Sequence, residues 1–441
     1  MGKPDSKINE GFYRSLNNMN FLKLLFSDSR QFHKNIFTLV SGSSVSQIIS
    51  ILFIPLLSRL YMPADFGLLA IFIALLNLFG SIINGRYEMA IFLPKSDNDA
   101  IQISRASLWI SLISSIVIAV IILFLGTGFS SQISNIDYSY YFFWLPISIF
   151  FVGIANVYSS FSIRLKNFRS IANASIIRSL SCSALQAILG FYFLGPVGLI
   201  LGSVISWFLS SFYLLYKNLE HFSPLKKPEN VRNYLRRYKD MPLYSMPAIF
   251  FNRLSINLVN IFLPLVFSLT TIGLYSMTQR LFFLPMSLLG SSIGQALTQS
   301  AAEEKNQFGS SKKTFKQSLF LLSALSLIIF TPLYFSLDYI FGQILGNEWL
   351  QSATFAKTVY SMFVLQFIGS SLSPILIVFE RQSIELTFQA IILFVNIGII
   401  FYVFLFSIEF LNYLSILNIF MSIYYLFMIL VTYLIANNKL K

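Results

Sequence analysis

A run of apolar residues from Ile36 to Leu57, about 22 long, is followed by a short polar turn and a second apolar run that ends at Arg86-Tyr87-Glu88. Each run is long enough to cross a bilayer, which takes roughly 20 helical residues. The pair therefore predicts a transmembrane hairpin. Such runs recur to residue 436. They predict twelve spans, at roughly 36–58, 66–86, 107–127, 140–161, 171–194, 197–216, 244–268, 271–297, 316–337, 356–379, 385–407 and 413–436. The chain is 56% hydrophobic and 11% charged, whereas soluble domains carry roughly 25% charge. Little chain is left over for a folded soluble domain.

The basic residues indicate orientation. With the N-terminus in the cytoplasm, one side holds Arg86, Lys95, Arg105, Arg164, Lys166 and Arg169, then seven lysines and arginines from Lys217 to Lys239. The other side keeps Arg59 and Lys357. The bias follows the positive-inside rule and places both termini in the cytoplasm. The net charge of +13 is gathered between spans, which suits anionic membrane lipids and not nucleic acid.

The basic linker divides the chain into halves of six spans. The halves echo one another: Ile54-Pro55-Leu56 in span one matches Leu263-Pro264-Leu265 in span seven, and Phe66-Gly67-Leu68 matches Ile272-Gly273-Leu274. An even number of spans per half makes the repeats parallel. The expected fold is an all-α polytopic membrane protein, with two pseudo-symmetric parallel six-helix bundles around a central cavity. Its expected parts are a segment 1–35 that includes an interfacial helix or a basic tail, a bundle 36–216, a linker 217–243, a bundle 244–436 and a tail 437–441.

Arg178, Arg253 and Arg280 fall inside spans five, seven and eight. Each is expected on the order of 10–14 Å below a membrane surface, at about 1.5 Å per residue. An arginine at that depth costs several kcal/mol, and these three spans contain no acidic residue. A water-filled, positively charged cavity resolves the cost and suits an anionic substrate. A structural arginine capped by carbonyls at a broken helix is the other reading. Arg59 is expected at the outer end of span one and Arg86 near the inner end of span two, where it is a further phosphate candidate. Arg86 and Glu88 are two residues apart and do not share a helical face, so Glu88 is expected to serve structure or gating. Amides in the spans, among them Asn84, Asn252, Asn257 and Gln279, suit sugar hydroxyls but equally suit helix–helix hydrogen bonds.

The remaining chemistry is sparse. His33 and His221 lie outside the spans, and Cys182 is alone. No metal site is expected, and Cys182 reads as a small buried residue. No phosphate-binding loop of the GxxxxGK[ST] kind occurs, so no cofactor and no direct use of ATP are expected.

The stretch PLLSRLYMPADFGLLAIF followed by RYEMAIFLP resembles the opening of the bacterial polysaccharide-biosynthesis membrane proteins. These are the O-antigen and lipid-linked oligosaccharide flippases of the multidrug/oligosaccharidyl-lipid/polysaccharide exporter superfamily. The resemblance extends over most of residues 36–400, with its specific motifs in 55–94. It implies two six-helix bundles and alternating access in the inner membrane. The implied cargo is an undecaprenyl-diphosphate-linked oligosaccharide for O-antigen, capsule or exopolysaccharide assembly, and the implied partners are a polysaccharide polymerase and assembly proteins. Such a transporter is not an enzyme. It would draw on H+, Na+ or the membrane potential, with Arg280, Arg253, Arg178 and Arg86 holding the diphosphate. The alternatives are a drug or cation antiporter of the same superfamily, which needs an acidic membrane site, and a membrane glycosyltransferase or polymerase, which needs a large external catalytic loop.

Overall fold

The computed structural model describes residues 41–133, 139–192, 195–222 and 231–438. Twelve of its helices are long and apolar enough to cross a membrane. In order they are Ser41–Leu60, Pro63–Gly80, Asp97–Phe124, Leu145–Arg164, Phe168–Phe191, Pro196–Phe222, Met241–Leu265, Leu269–Phe308, Lys312–Leu345, Tyr360–Val378, Ser383–Phe406 and Phe410–Ala436. Each matches one expected span. The expected segment 1–35 and the first residues of span one, 36–40, lie outside the described residues.

Several boundaries moved, for identifiable reasons. Span two ends at Gly80 and not at 86; residues 81–86 form turns, the last two with left-handed backbone angles, φ 59° at Gly85 and 62° at Arg86. Span three starts ten residues earlier than expected. Its first turn carries Asp97 and Asp99, and carboxylates favour a helix N-terminus, so the helix runs on past the apolar stretch. Span eight continues to Phe308, passing Pro285 through a π-helical turn at Met286–Gly290. Such a turn accommodates the donor that proline lacks. Pro332 likewise lies inside the helix of span nine. Residues Leu350–Thr358 form a separate short helix before span ten. The tight turn between spans five and six is present, with Gly195 at φ 52° and Pro196 opening the next helix.

The spans form two lobes. In the first, span six packs on spans four and five, and span four on spans two and three. In the second, span twelve packs on spans ten and eleven, span ten on nine, and span eleven on seven. Apolar transfer does little to join helices in lipid, so close fit has to do it. The second lobe uses aromatic stacking, with Phe282 and Phe363 at 4.6 Å between centroids and 10° between planes. Large apolar side chains such as Trp109, Phe124, Phe394 and Phe401 face outward, as a lipid-facing perimeter requires.

Span two joins the lobes by packing along spans seven and eight. At the crossing of spans two and eight, the Gly67 backbone meets the Leu269 carbonyl and the Gly273 backbone meets the Pro63 carbonyl. No side chain fits between them. The same end carries a polar clasp. Ser58 donates to the Leu345 carbonyl at 3.0 Å, the Trp349 indole N–H donates to the Ser58 carbonyl at 3.0 Å, and Arg59 donates to the Gln343 carbonyl. This is the hairpin end. The opposite end, where the basic linker lies, is the linker end.

Candidate functional site: an arginine-lined cavity between the lobes

A cavity of about 650 Å³ lies between the lobes, lined by spans one, two, five, seven and eight and by Ser203 of span six. Its first-lobe wall is built of hydroxyls at one-turn spacing. Ser46 donates to Ser175 at 2.9 Å, and Ser50 and Ser179 share a hydrogen bond at 2.9 Å. The small residues let spans one and five come close, and Gly42 has no room for a side chain against Ala172. Gln47 of span one accepts a hydrogen bond from Ser287 of span eight, a polar contact between lobes across the cavity.

Arg178 and Arg280 both line this space. The Arg178 guanidinium sits over the Trp207 ring, 4.7 Å from its centroid, and that of Arg280 over Phe66 at 5.1 Å. Neither is in an ion pair among the described residues, and no acidic residue lines the cavity. A cation–π contact is worth about 0.5–2 kcal/mol. The cost of an arginine at membrane depth is several kcal/mol, so the rings orient the guanidiniums without neutralising them. The residual positive charge requires water or an anion.

The other candidates are dispersed. Asn257 and Gln279 line the cavity, and Asn257 also donates to the Arg253 carbonyl at 2.8 Å. The Arg253 side chain is exposed and does not contribute to the lining. Asn252 donates to Gln389 of span eleven at 2.7 Å. Asn84 is buried and donates to the carbonyls of Ser107 and Gly153, tying the segment after span two to spans three and four. Arg59 belongs to the clasp at the hairpin end.

Arg86 and Glu88 correct the sequence expectation. They form an ion pair at 3.2 Å, although helical spacing would separate them. The left-handed turn at Gly85 and Arg86 folds the guanidinium back over the carboxylate. Burial holds the Glu88 carboxyl above its usual range, and its own backbone N–H and Arg86 counter this only in part.

Cys182 is a second correction, being half-buried on the cavity wall. Sequence reasoning also missed the hydroxyl wall and the two aromatic platforms. The serines carried a usable signal: Ser43, Ser46 and Ser50 share one helical face, as do Ser175, Ser179 and Ser183. Phe66 and Trp207 carried none, because only packing brings their rings beneath the arginines. Among the described residues no His, Cys, Asp and Glu cluster suits a metal.

A family model described as polysaccharide biosynthesis protein matches residues 56–354, more than half of the chain. No curated protein sequence matches significantly. Among solved structures, the chain is similar to the lipid II flippase MurJ in its inward closed conformation, with a TM-score of 0.70 at 14% identity, covering 91% of this chain and 90% of that one. It is also similar to the inward-facing conformation of a multidrug resistance MATE family transporter of the MOP superfamily, with a TM-score of 0.63, 14% identity and coverage of 91% and 94%. An outward-facing conformation of such a transporter gives 0.54, with 14% identity and coverage of 92% and 95%. These likenesses establish a shared twelve-helix, two-lobe fold.

Proposed function

We propose that this chain, which belongs to the polysaccharide biosynthesis protein family, moves an undecaprenyl-diphosphate-linked oligosaccharide across the bacterial inner membrane by alternating access. The observation that carries this reading is the cavity with two guanidinium groups and no carboxylate. Arg178 and Arg280 bind the diphosphate, using the planar donor geometry that matches phosphate oxygens. The serine and amide walls offer donors and acceptors to sugar hydroxyls, while the lipid tail stays in the bilayer. Arg86, at the linker end, receives the incoming phosphate. The linker end is taken as cytoplasmic because it holds the basic loops. The clasp at the hairpin end and greater likeness to the inward closed and inward-facing folds than to the outward-facing one fit a state shut toward the outside. An ion gradient or the membrane potential drives the cycle, and polymerase and assembly proteins consume the product.

A drug or cation antiporter is the weaker reading, because two unpaired guanidiniums repel a cation. The test is reconstitution with defined lipid-diphosphate oligosaccharides. Flipping by wild type that falls in both Arg178→Ala and Arg280→Ala supports the proposal. Equal flipping of a lipid lacking phosphate, or a direct ATP requirement in purified protein, overturns it.

A further inference from the structure

We propose that Glu88 is a proton-binding site linked to the junction between the lobes at the linker end, so that the protonated carboxyl holds the junction together and the charged carboxylate drives it apart. Glu88 lies outside the spans, in the short helix Tyr87–Ala90, which packs on the third and fourth spans and on the π-helical turn Met241–Ser245. That turn begins span seven, so part of the packing around this short helix belongs to the other lobe. Glu88 is 4% exposed. Its Oε1 meets Arg86, and its Oε2 is buried without a hydrogen-bond partner among the described residues. Arg86 also reaches across the junction, its Nε donating to Ser245 Oγ at 3.3 Å.

The neighbouring charges are engaged elsewhere. Arg164 of span four binds Asp97 at 2.9 Å, Asp99 accepts from Tyr234, and Arg105 donates to the Phe222 carbonyl. Lys239, Asp240 and Tyr244, on or beside the turn, are exposed. Among the described residues, Arg86 is the one charge acting appreciably on the carboxyl. It comes from the same segment as Glu88 and stays with it when the lobes part.

The sign follows from what separation changes. With the junction intact, burial outweighs Arg86 and holds the carboxyl above its usual range. Withdrawal of the Met241–Ser245 turn hydrates Glu88 and leaves Arg86 in place, so the separated state favours the carboxylate. Protonation therefore stabilises the junction, and rising pH weakens it. A proton bound before opening is released to the linker side on opening. The inference is independent of which lipid is carried.

The test needs no cargo. Spin labels are placed at Lys95→Cys and Tyr244→Cys in full-length Cys182→Ser protein in lipid nanodiscs, and distances are measured at about pH 5 and about pH 8. The separated population is expected to rise at the higher pH, because the carboxyl is raised by burial in the joined state. Glu88→Gln, permanently neutral, is expected to stay joined at both pH values. Glu88→Asp is expected to respond with a displaced midpoint, and it decides the matter if the glutamine variant does not fold. A wild type with unchanged distances, separation on acidification, a glutamine variant that tracks the wild type, or an unmoved aspartate midpoint each overturns the proposal.

Discussion

The Arg280 guanidinium rests on the Phe66 ring at 5.1 Å, and the same ring meets a residue of the hairpin-end clasp. Phe66 meets Trp349 edge-on at 5.2 Å, and Trp349 in turn donates to the Ser58 carbonyl. The group proposed to bind phosphate is thus two aromatic contacts away from the clasp at the hairpin end. An anion drawing Arg280 off Phe66 would unload the ring that supports Trp349.

Replacing Arg280 or Arg178 with Ala is expected to slow flipping by roughly tenfold or more, the loss of at least one charge-assisted hydrogen bond of about 1.5–3 kcal/mol. Lys312→Ala, at an exposed position, is expected to leave it unchanged. Arg280→Lys is expected to recover only part of the rate, because a point charge lacks the planar fork. Rates in proteoliposomes at matched protein levels check this, and equal rates for Arg280→Ala and Lys312→Ala would remove Arg280 from the site.

Trp349→Phe keeps the edge-on contact with Phe66 and deletes the hydrogen bond to Ser58, worth about 1 kcal/mol. The hairpin end is expected to open more often. A cysteine at Cys182, already on the cavity wall, should then react faster with a reagent added from that side. An unchanged labelling rate would assign closure to the glycine crossing alone.

Gly273→Ala tests that crossing. A methyl group there collides with the Pro63 carbonyl and lies 2.9 Å from the Gly67 nitrogen. Backbone cannot yield as a side-chain tip does, so spans two and eight must separate. Faster labelling of Cys182 from the hairpin end, or a lower Tm, is expected, and wild-type behaviour in both would show that the crossing is not tight in solution.

Thermal stability should depend on pH through Glu88. Its carboxyl value is raised in the folded protein because burial outweighs the pull of Arg86. Stability from this site is present below the ordinary carboxylate value and is lost as pH rises through the folded value. Glu88→Gln is expected to match wild type in acid and to exceed its Tm at alkaline pH. A wild type that is the more stable of the two at alkaline pH would contradict the sign.

Sidedness is testable with impermeant thiol reagents in a Cys182→Ser background. Glu348→Cys, beside the clasp, is expected to react from outside the cell, and Lys239→Cys only after permeabilisation. Reversed labelling would exchange the entrance and exit.

The sequence by itself determined the twelve spans, the two halves and the presence of arginines in apolar runs that hold no acidic residue. These properties depend on local composition and run length, because a bilayer demands apolar helices of a set size. It carried the serine wall too, through one-turn spacing. Tertiary structure alone decided which arginines share a space. Arg178 and Arg280 meet in the cavity and Arg253 does not, because the rotation of each helix is set by packing with its neighbours. It also decided the pairing of Arg86 with Glu88. Helical spacing forbids that contact, and two successive left-handed residues permit it. The rings beneath the arginines, Trp207 and Phe66, come from other helices, so no local pattern could announce them.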